Sequence, residues 1–143
     1  MSIKIILAFD FGNKNIGVAI GQLITGIASP MNSLKVKNGI PNWVQIEKLI
    51  KQWNPSIIIV GLPLNMDGSE QHTTSCAKNF ANYLHNRFGI SIYMQDERLS
   101  TKEARSELFE FGGFRSLNKD SIDSKSAAII LQDWIRSYLT VIN

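Results

Sequence analysis

The sequence predicts an α/β domain built on a mixed sheet, and three observations carry that prediction. Two short runs, Lys4–Phe9 and Ser56–Leu62, are almost entirely apolar and rich in β-branched residues, as strands covered on both faces must be. Around them apolar residues recur at helical spacing, so helices and strands alternate along the chain. The first run also meets a turn rich in Gly and Asn and then a second apolar run, which implies an antiparallel hairpin ahead of the parallel units.

Taken in order, Lys4–Phe9 opens the sheet, Asp10-Phe11-Gly12-Asn13-Lys14-Asn15 turns the chain, and Ile16–Ile20 returns as the hairpin partner. Leu23–Ala28 is a weaker third strand. A polar loop around Lys37-Asn38-Gly39 leads to a helix on which Trp43, Ile46, Leu49, Ile50 and Trp53 share a face. Asn54-Pro55 ends it, because the residue before a proline is pushed out of the α region. Ser56–Leu62 is the next buried strand, and it leaves through Pro63–Ser69, a loop punctuated by Pro, Asn, Asp and Gly. A second helix presents Cys76, Ala77, Phe80, Ala81, Leu84 and Phe88 on one side and stops at Gly89. Ile90, Ile92 and Met94 alternate with Ser91, Tyr93 and Gln95 in a strand that ends at Asp96-Glu97-Arg98. Ser100-Thr101-Lys102-Glu103 is a capping box that starts a third helix, which finishes before Gly112-Gly113. After a polar loop over 114–122, a last helix begins near Asp123 with Ala127, Ile130, Leu131, Trp134, Ile135 and Tyr138 on its apolar face. Cys76 and the Trp43/Trp53 and Trp134/Tyr138 pairs are read as core.

Composition narrows the classes. With 143 residues, 44% of them hydrophobic and 19% charged, the chain fits one globular domain spanning 1–143 and excludes a disordered one. No apolar run nears the roughly 18 residues of a membrane span, so no membrane partner is expected. The N-terminus lacks the basic, apolar and small-residue segments of a signal peptide, and a cytoplasmic location is expected. A single cysteine, Cys76, excludes an intrachain disulfide and a cysteine-based zinc cluster. The net charge of +3 permits a polyanionic partner without demanding one. It is uneven: up to residue 55 six lysines face two acids, a net of +4, and the remainder carries nine basic against ten acidic residues, a net of −1.

A few acids stand at element ends. Asp10 closes one apolar strand, Asp96 and Glu97 close another, and Asp123 opens a helix. Ligands of open α/β sheets gather at the carboxyl ends of buried strands. Carboxylates converging there repel one another unless a cation lies between them, and oxygen donors suit Mg²⁺ or Mn²⁺. Two such ions can activate a water and stabilise the leaving oxygen of a phosphodiester. Each acid also has an ordinary role: Asp10 in an Asx-turn, Glu97 in a surface ion pair, Asp123 as an N-cap. Asp96 and Glu97 point opposite ways on a regular strand, so only one of them can enter a shared site. His72 and His85, 13 residues apart, are a poor metal pair.

The segments ILAFDFGNKNIGVAIG, IIIVGLPLNMDGSEQ, DERLST and FGGFRSLNKDSIDSKSAAIIL occur in the order and at the spacing of the YqgF/RuvX family. The chain resembles that family over essentially its whole length, and is close to its enterobacterial type. GLPLNMDG and DERLST are the specific blocks. The resemblance implies a ribonuclease H-like α/β fold, a five-stranded mixed sheet with helices on both faces. It also implies an acidic Mg²⁺- or Mn²⁺-dependent nuclease centre related to that of RuvC-type Holliday junction resolvases, with Asp10, Glu97 and Asp123 as metal ligands and catalytic acids. At such a centre Lys14, Asn65, Arg98 and Arg115 are the candidates for holding substrate. The implied substrate is structured nucleic acid: the small-subunit (16S) ribosomal RNA precursor, matured at its 5′ end on a pre-ribosomal particle, or branched DNA at a four-way junction. A monomer or a weak homodimer is expected.

Two departures stand out. RuvC-type resolvases carry two acids one turn apart on the last helix, whereas the position three after Asp123 is Ser126. Lys125 also stands beside Asp123, where a small residue is the family habit. Two readings from other classes therefore stay open: a non-catalytic RNA-binding assembly factor, and an ATP-handling domain of the actin/sugar-kinase type, whose first hairpin also carries an Asp-x-Gly turn.

Overall fold

Strand β1 (Ile5–Phe11) is buried on both faces from Ile6 to Phe9, and the rest of the sheet assembles around it. The computed structural model of the chain describes residues 4–99 and 124–142. Strands β2 (Asn15–Gln22), β3 (Ile27–Lys37), β4 (Ile40–Pro41), β5 (Ile57–Leu62) and β6 (Ser91–Asp96) join β1 in a mixed sheet of order β4-β3-β2-β1-β5-β6. β1 pairs antiparallel with β2 and parallel with β5, and β5 pairs parallel with β6. The predicted α/β class and mixed sheet hold, with six strands in place of the expected five.

The difference lies on the polar side of the sheet. Leu23–Ala28 is not the third strand: Gln22 to Gly26 form a turn, with Gly26 at φ 69°, and β3 begins at Ile27 and runs to Lys37. Its residues are mostly half-exposed, so it lacks the apolar run that marks the central strands. Pro30 is tolerated within it because only Val36 and Lys37 pair outward, with β4. Asn38 and Gly39, at φ 54° and 76°, make the tight hairpin turn that generates the two-residue β4.

Helices cover both faces. Helix α1 (Trp43–Trp53) starts at Asn42, whose side-chain oxygen accepts the Gln45 N–H at 3.2 Å, and ends at Asn54 in the left-handed conformation. With α2 (His72–Phe88) it packs Ile46, Ile50, Ala77, Phe80 and Leu84 against Leu7, Phe9, Val18, Ile58 and Val60. The opposite face, formed by Ile6, Ala8, Ala19, Ala28 and Ile59, is covered by α3 (Lys125–Ile142) through Ala127, Ala128, Leu131 and Ile135. None of the described helices is long and apolar enough to cross a membrane. The helix expected from the Ser100–Glu103 capping box, the loop over 114–122, Arg115 and Asp123 lie outside the described residues.

Cys76 and the pairs Trp43/Trp53 and Trp134/Tyr138, expected in the core, are half-buried and lie at its rim. Trp43 is half-buried and stacks on exposed Tyr83, and Cys76 is half-buried with Sγ 3.8 Å from His72 Nε2. An amphipathic stripe runs past the edge of the sheet at the ends of a helix, so helical spacing overstates burial there.

Candidate active site

Alternation along β1 sends Ile6, Ala8 and Asp10 to the α3 face of the sheet, while Leu7 and Phe9 face α1 and α2. On β6, Ile92 and Met94 face α1 and α2. Asp96 follows them on that side, and Glu97, the first residue of a short 3-10 turn (Glu97–Leu99), falls on the α3 side with Asp10. Between these two strands runs β5. Its residue at the same level is Gly61, one step beyond the Phe9–Val60 pair and opposite Gln95 of β6. A methyl group on Gly61 would lie 3.2 Å from Glu97 Cδ and 3.3 Å from Cγ. The space left by that missing side chain is what lets Glu97 lean across β5 and hydrogen-bond Asp10.

The electrostatics follow from that contact. Asp10 is raised above the usual carboxylate range, chiefly by burial, with the Glu97 hydrogen bond opposing the rise. Glu97 is pushed up to about 7, first by burial, then by the Asp10 charge and hydrogen bond, and last by the Asp96 charge. Two carboxyl groups in hydrogen-bond contact without a cation must share a proton. Among the described residues no third His, Cys, Asp or Glu joins this pair to complete a three-ligand cluster.

Asp96 is engaged elsewhere. Its carboxylate accepts the Arg98 backbone N–H at 2.9 Å, Nε at 3.1 Å and Nη2 at 2.7 Å, and the hydrogen bonds from the Arg98 side chain, helped by its backbone N–H and charge, hold it below its ordinary range. Arg98 Nη1 also donates to the Met66 carbonyl at 3.2 Å, so this side chain ties the end of β6 to the loop that leaves β5. Within that loop Asn65 Nδ2 donates to Ser69 Oγ at 2.9 Å, while Asp67 accepts Ser69 N–H at 2.9 Å and its hydroxyl at 2.6 Å. Asn65 and Arg98 thus shape the rim of the site. Lys14 is exposed in the β1–β2 turn, and its carbonyl accepts Val36 N–H at 2.9 Å.

Three further residues, none of them among the sequence-predicted candidates, position these elements. Thr74, fully buried in the first turn of α2, accepts Gln71 N–H at 3.0 Å and donates to the Pro63 carbonyl, which anchors the exit of β5. The register of β2 on β3 shifts between Ile16 and Val18, and the Val18 N–H there donates to the buried Ser124 Oγ at 2.9 Å. Ser124 directly follows Asp123, so this bond fixes where the chain enters α3. Gln132, buried, accepts Ala28 N–H at 2.9 Å and donates to the Gly26 carbonyl at 2.6 Å. A glutamine on an otherwise apolar helix face was the available signal for Gln132. Ser124 carried none.

The comparisons with known proteins point to one family and describe different substrates for its members. Residues 4–137 match the family model described as RuvX, Holliday junction resolvase. A protein of Proteus mirabilis described as "Putative pre-16S rRNA nuclease" is 60% identical over 134 residues, covering 94% of this chain and 96% of its own. One of the same description from Pectobacterium carotovorum is 58% identical over 137 residues, covering 96% and 99%. Among solved structures, T. thermophilus RuvC in complex with a Holliday junction substrate aligns with a TM-score of 0.60 over 95% of this chain and 96% of that one. At 13% identity that match speaks for the fold alone. With the match spanning nearly every residue and the relatives this close, the chain belongs to the RuvX family.

Proposed function

We propose that this protein is a divalent-metal-dependent nuclease that hydrolyses phosphodiester bonds in the small-subunit (16S) ribosomal RNA precursor. The observation that carries the reading is the Asp10–Glu97 pair, one acid on β1 and one just past the end of β6, held together over Gly61 at the carboxyl edge of the sheet. Their shared proton marks a place where positive charge is wanted, and their oxygens are the hard donors that Mg²⁺ or Mn²⁺ takes. Asp10 and Glu97 fit such a cation and would hold it, and Asp123 is proposed as the third holder. When bound, the cation supplies neutralisation of the attacked phosphate and activation of a water.

The chain's own residues do the rest. Gly61 keeps the path of Glu97 clear, and Ser124, bonded to the Val18 N–H, fixes where α3 begins. Asp96 orients Arg98, which holds the Asn65–Ser69 loop beside the acids, and Lys14 offers an exposed cation to the phosphates. A precursor RNA substrate implies action on the pre-ribosomal particle in the cytoplasm, by a protein able to work as a monomer. The high identity to relatives described as pre-16S rRNA nucleases favours RNA over a DNA junction.

The test compares wild-type protein with Asp10→Asn and Glu97→Gln on precursor rRNA, with Mg²⁺ or Mn²⁺ and then with a chelator. The wild type should cleave only with metal, and each variant should lose at least about 100-fold. Equal cleavage by wild type and variants would sink the reading. Much faster cutting of a four-way DNA junction than of RNA would replace it with the resolvase reading. Rescue of a depleted strain by the Asp10→Asn protein would replace it with a non-catalytic assembly factor.

A further inference from the structure

On the sheet face away from the acid pair lies a cavity of about 500 Å³, lined among others by Phe11, Trp43, Cys76, Phe80, Tyr83 and Arg87. We infer that this groove is a second nucleic-acid subsite, which takes an unpaired nucleotide of the strand being cut, stacks its base on the Trp43–Tyr83 aromatic wall and pairs its phosphate with Arg87.

The groove is an aromatic staircase. Phe11 and Phe80 lie 5.1 Å apart between centroids, Phe80 and Trp43 5.7 Å, and Trp43 and Tyr83 5.3 Å in a stacked pair. The last step is open, for Tyr83 is 60% exposed. An open ring at the end of a stacked series accepts any base with a free face, and only an unpaired one can reach it. The charge is complementary as well. The Arg87 guanidinium sits 5.3 Å over the Trp43 ring, its side chain is exposed, and no carboxylate lines the cavity. The acid that Arg87 influences, Glu47, is ion-paired with Lys51 at 3.0 Å.

The groove and the proposed active site meet at the carboxyl end of β1, on opposite faces of the sheet. Phe11 lines the groove, and the preceding residue, Asp10, belongs to the acid pair on the other face. A strand passing over the carboxyl edge of β1 can meet both.

The inference rests on the nuclease reading, and its test reads binding so that the two can fail separately. In the Asp10→Asn background with Mg²⁺, binding of an RNA duplex with a single-stranded tail is compared with that of the same duplex made blunt. The background protein should prefer the tailed duplex. Tyr83→Ala and Arg87→Gln, both at exposed positions, should each weaken tailed binding by roughly 5- to 100-fold and leave blunt binding unchanged. Cys76 is the chain's one cysteine, so its alkylation needs no variant: tailed RNA should slow it and blunt RNA should not. A deoxyribose tail bound as well as the ribose tail would support the groove as a reader of base and phosphate, and a ribose-only preference would support it with a 2′-hydroxyl contact added. No tail preference, equal losses on both duplexes, or a dimer that Tyr83→Ala dissociates would overturn the inference. Tail-dependent binding by a wild-type protein that cuts nothing would leave the groove standing and remove the nuclease reading.

Discussion

Gly61→Ala tests the geometry that joins the two acids. The new methyl carbon would lie 2.7 Å from Ile130 Cδ1 and 3.2 Å from Glu97 Cδ. Carbon pairs rest at about 3.5–4.0 Å, so Ile130 must retreat by about 1 Å and Glu97 by a few tenths of an ångström or more. Ile130 is buried, but the clashing atom is the end of a side chain, and overpacking of this kind costs about 1–3 kcal/mol. That corresponds to a fall in Tm of roughly 3–10 °C for a chain of this size. Activity should fall further than stability explains, because Glu97 itself is displaced: a full 1 Å costs about 100-fold, and a few tenths of an ångström a smaller, several-fold share of that. The two effects separate in Gly61→Ala/Ile130→Val, which deletes the clashing Cδ1 and leaves the Glu97 contact. Urea denaturation should show stability largely recovered, while single-turnover cleavage of precursor RNA stays low. Recovery of activity together with stability would refute the claim that Gly61 acts through Glu97.

Two more expectations follow from the same site. The raised Glu97 carboxyl gives the metal-free fold a stability that is fully present below the ordinary glutamate value of 4.5 and is lost as pH rises through about 7. Asp10→Asn removes one of the charges that raise it, so in chelator the variant's stability should decline less than wild type between about pH 5 and 8. Parallel denaturation curves across that range would count against the shared-proton pair. Ser124→Ala leaves the Val18 N–H buried without its acceptor and should cost about 1–3 kcal/mol. Hydrogen exchange should quicken at Val18 and at the first turn of α3, and unchanged protection there would remove Ser124 from the set of positioning residues.

What could be read from the sequence divides along physical lines. β1 and β5 were legible because burial on both faces forces unbroken apolar runs, and α1 and α2 because one buried face forces a helical period. β3 was misplaced because half-exposed residues and Pro30 carry neither signal, and β4 is too short to carry any. Trp43 and Cys76 fit the helical period yet sit where the helix overruns the sheet. The positions of the acids were legible too, but their pairing was not. Alternation already required that Asp96 and Glu97 separate, with Glu97 opposite the face of Ile92 and Met94. The face to which Asp10 belongs could not be read, since β1 is apolar on both sides and its two faces look alike in the sequence. The meeting of Asp10 and Glu97 depends further on Gly61, a residue whose contribution is volume it does not fill. A motif search looks for groups that carry chemistry and passes over the gap that lets them meet. In this fold a methyl group at Gly61 would disturb the centre while leaving every acid in the chain in place, which is why the acids alone do not define the site.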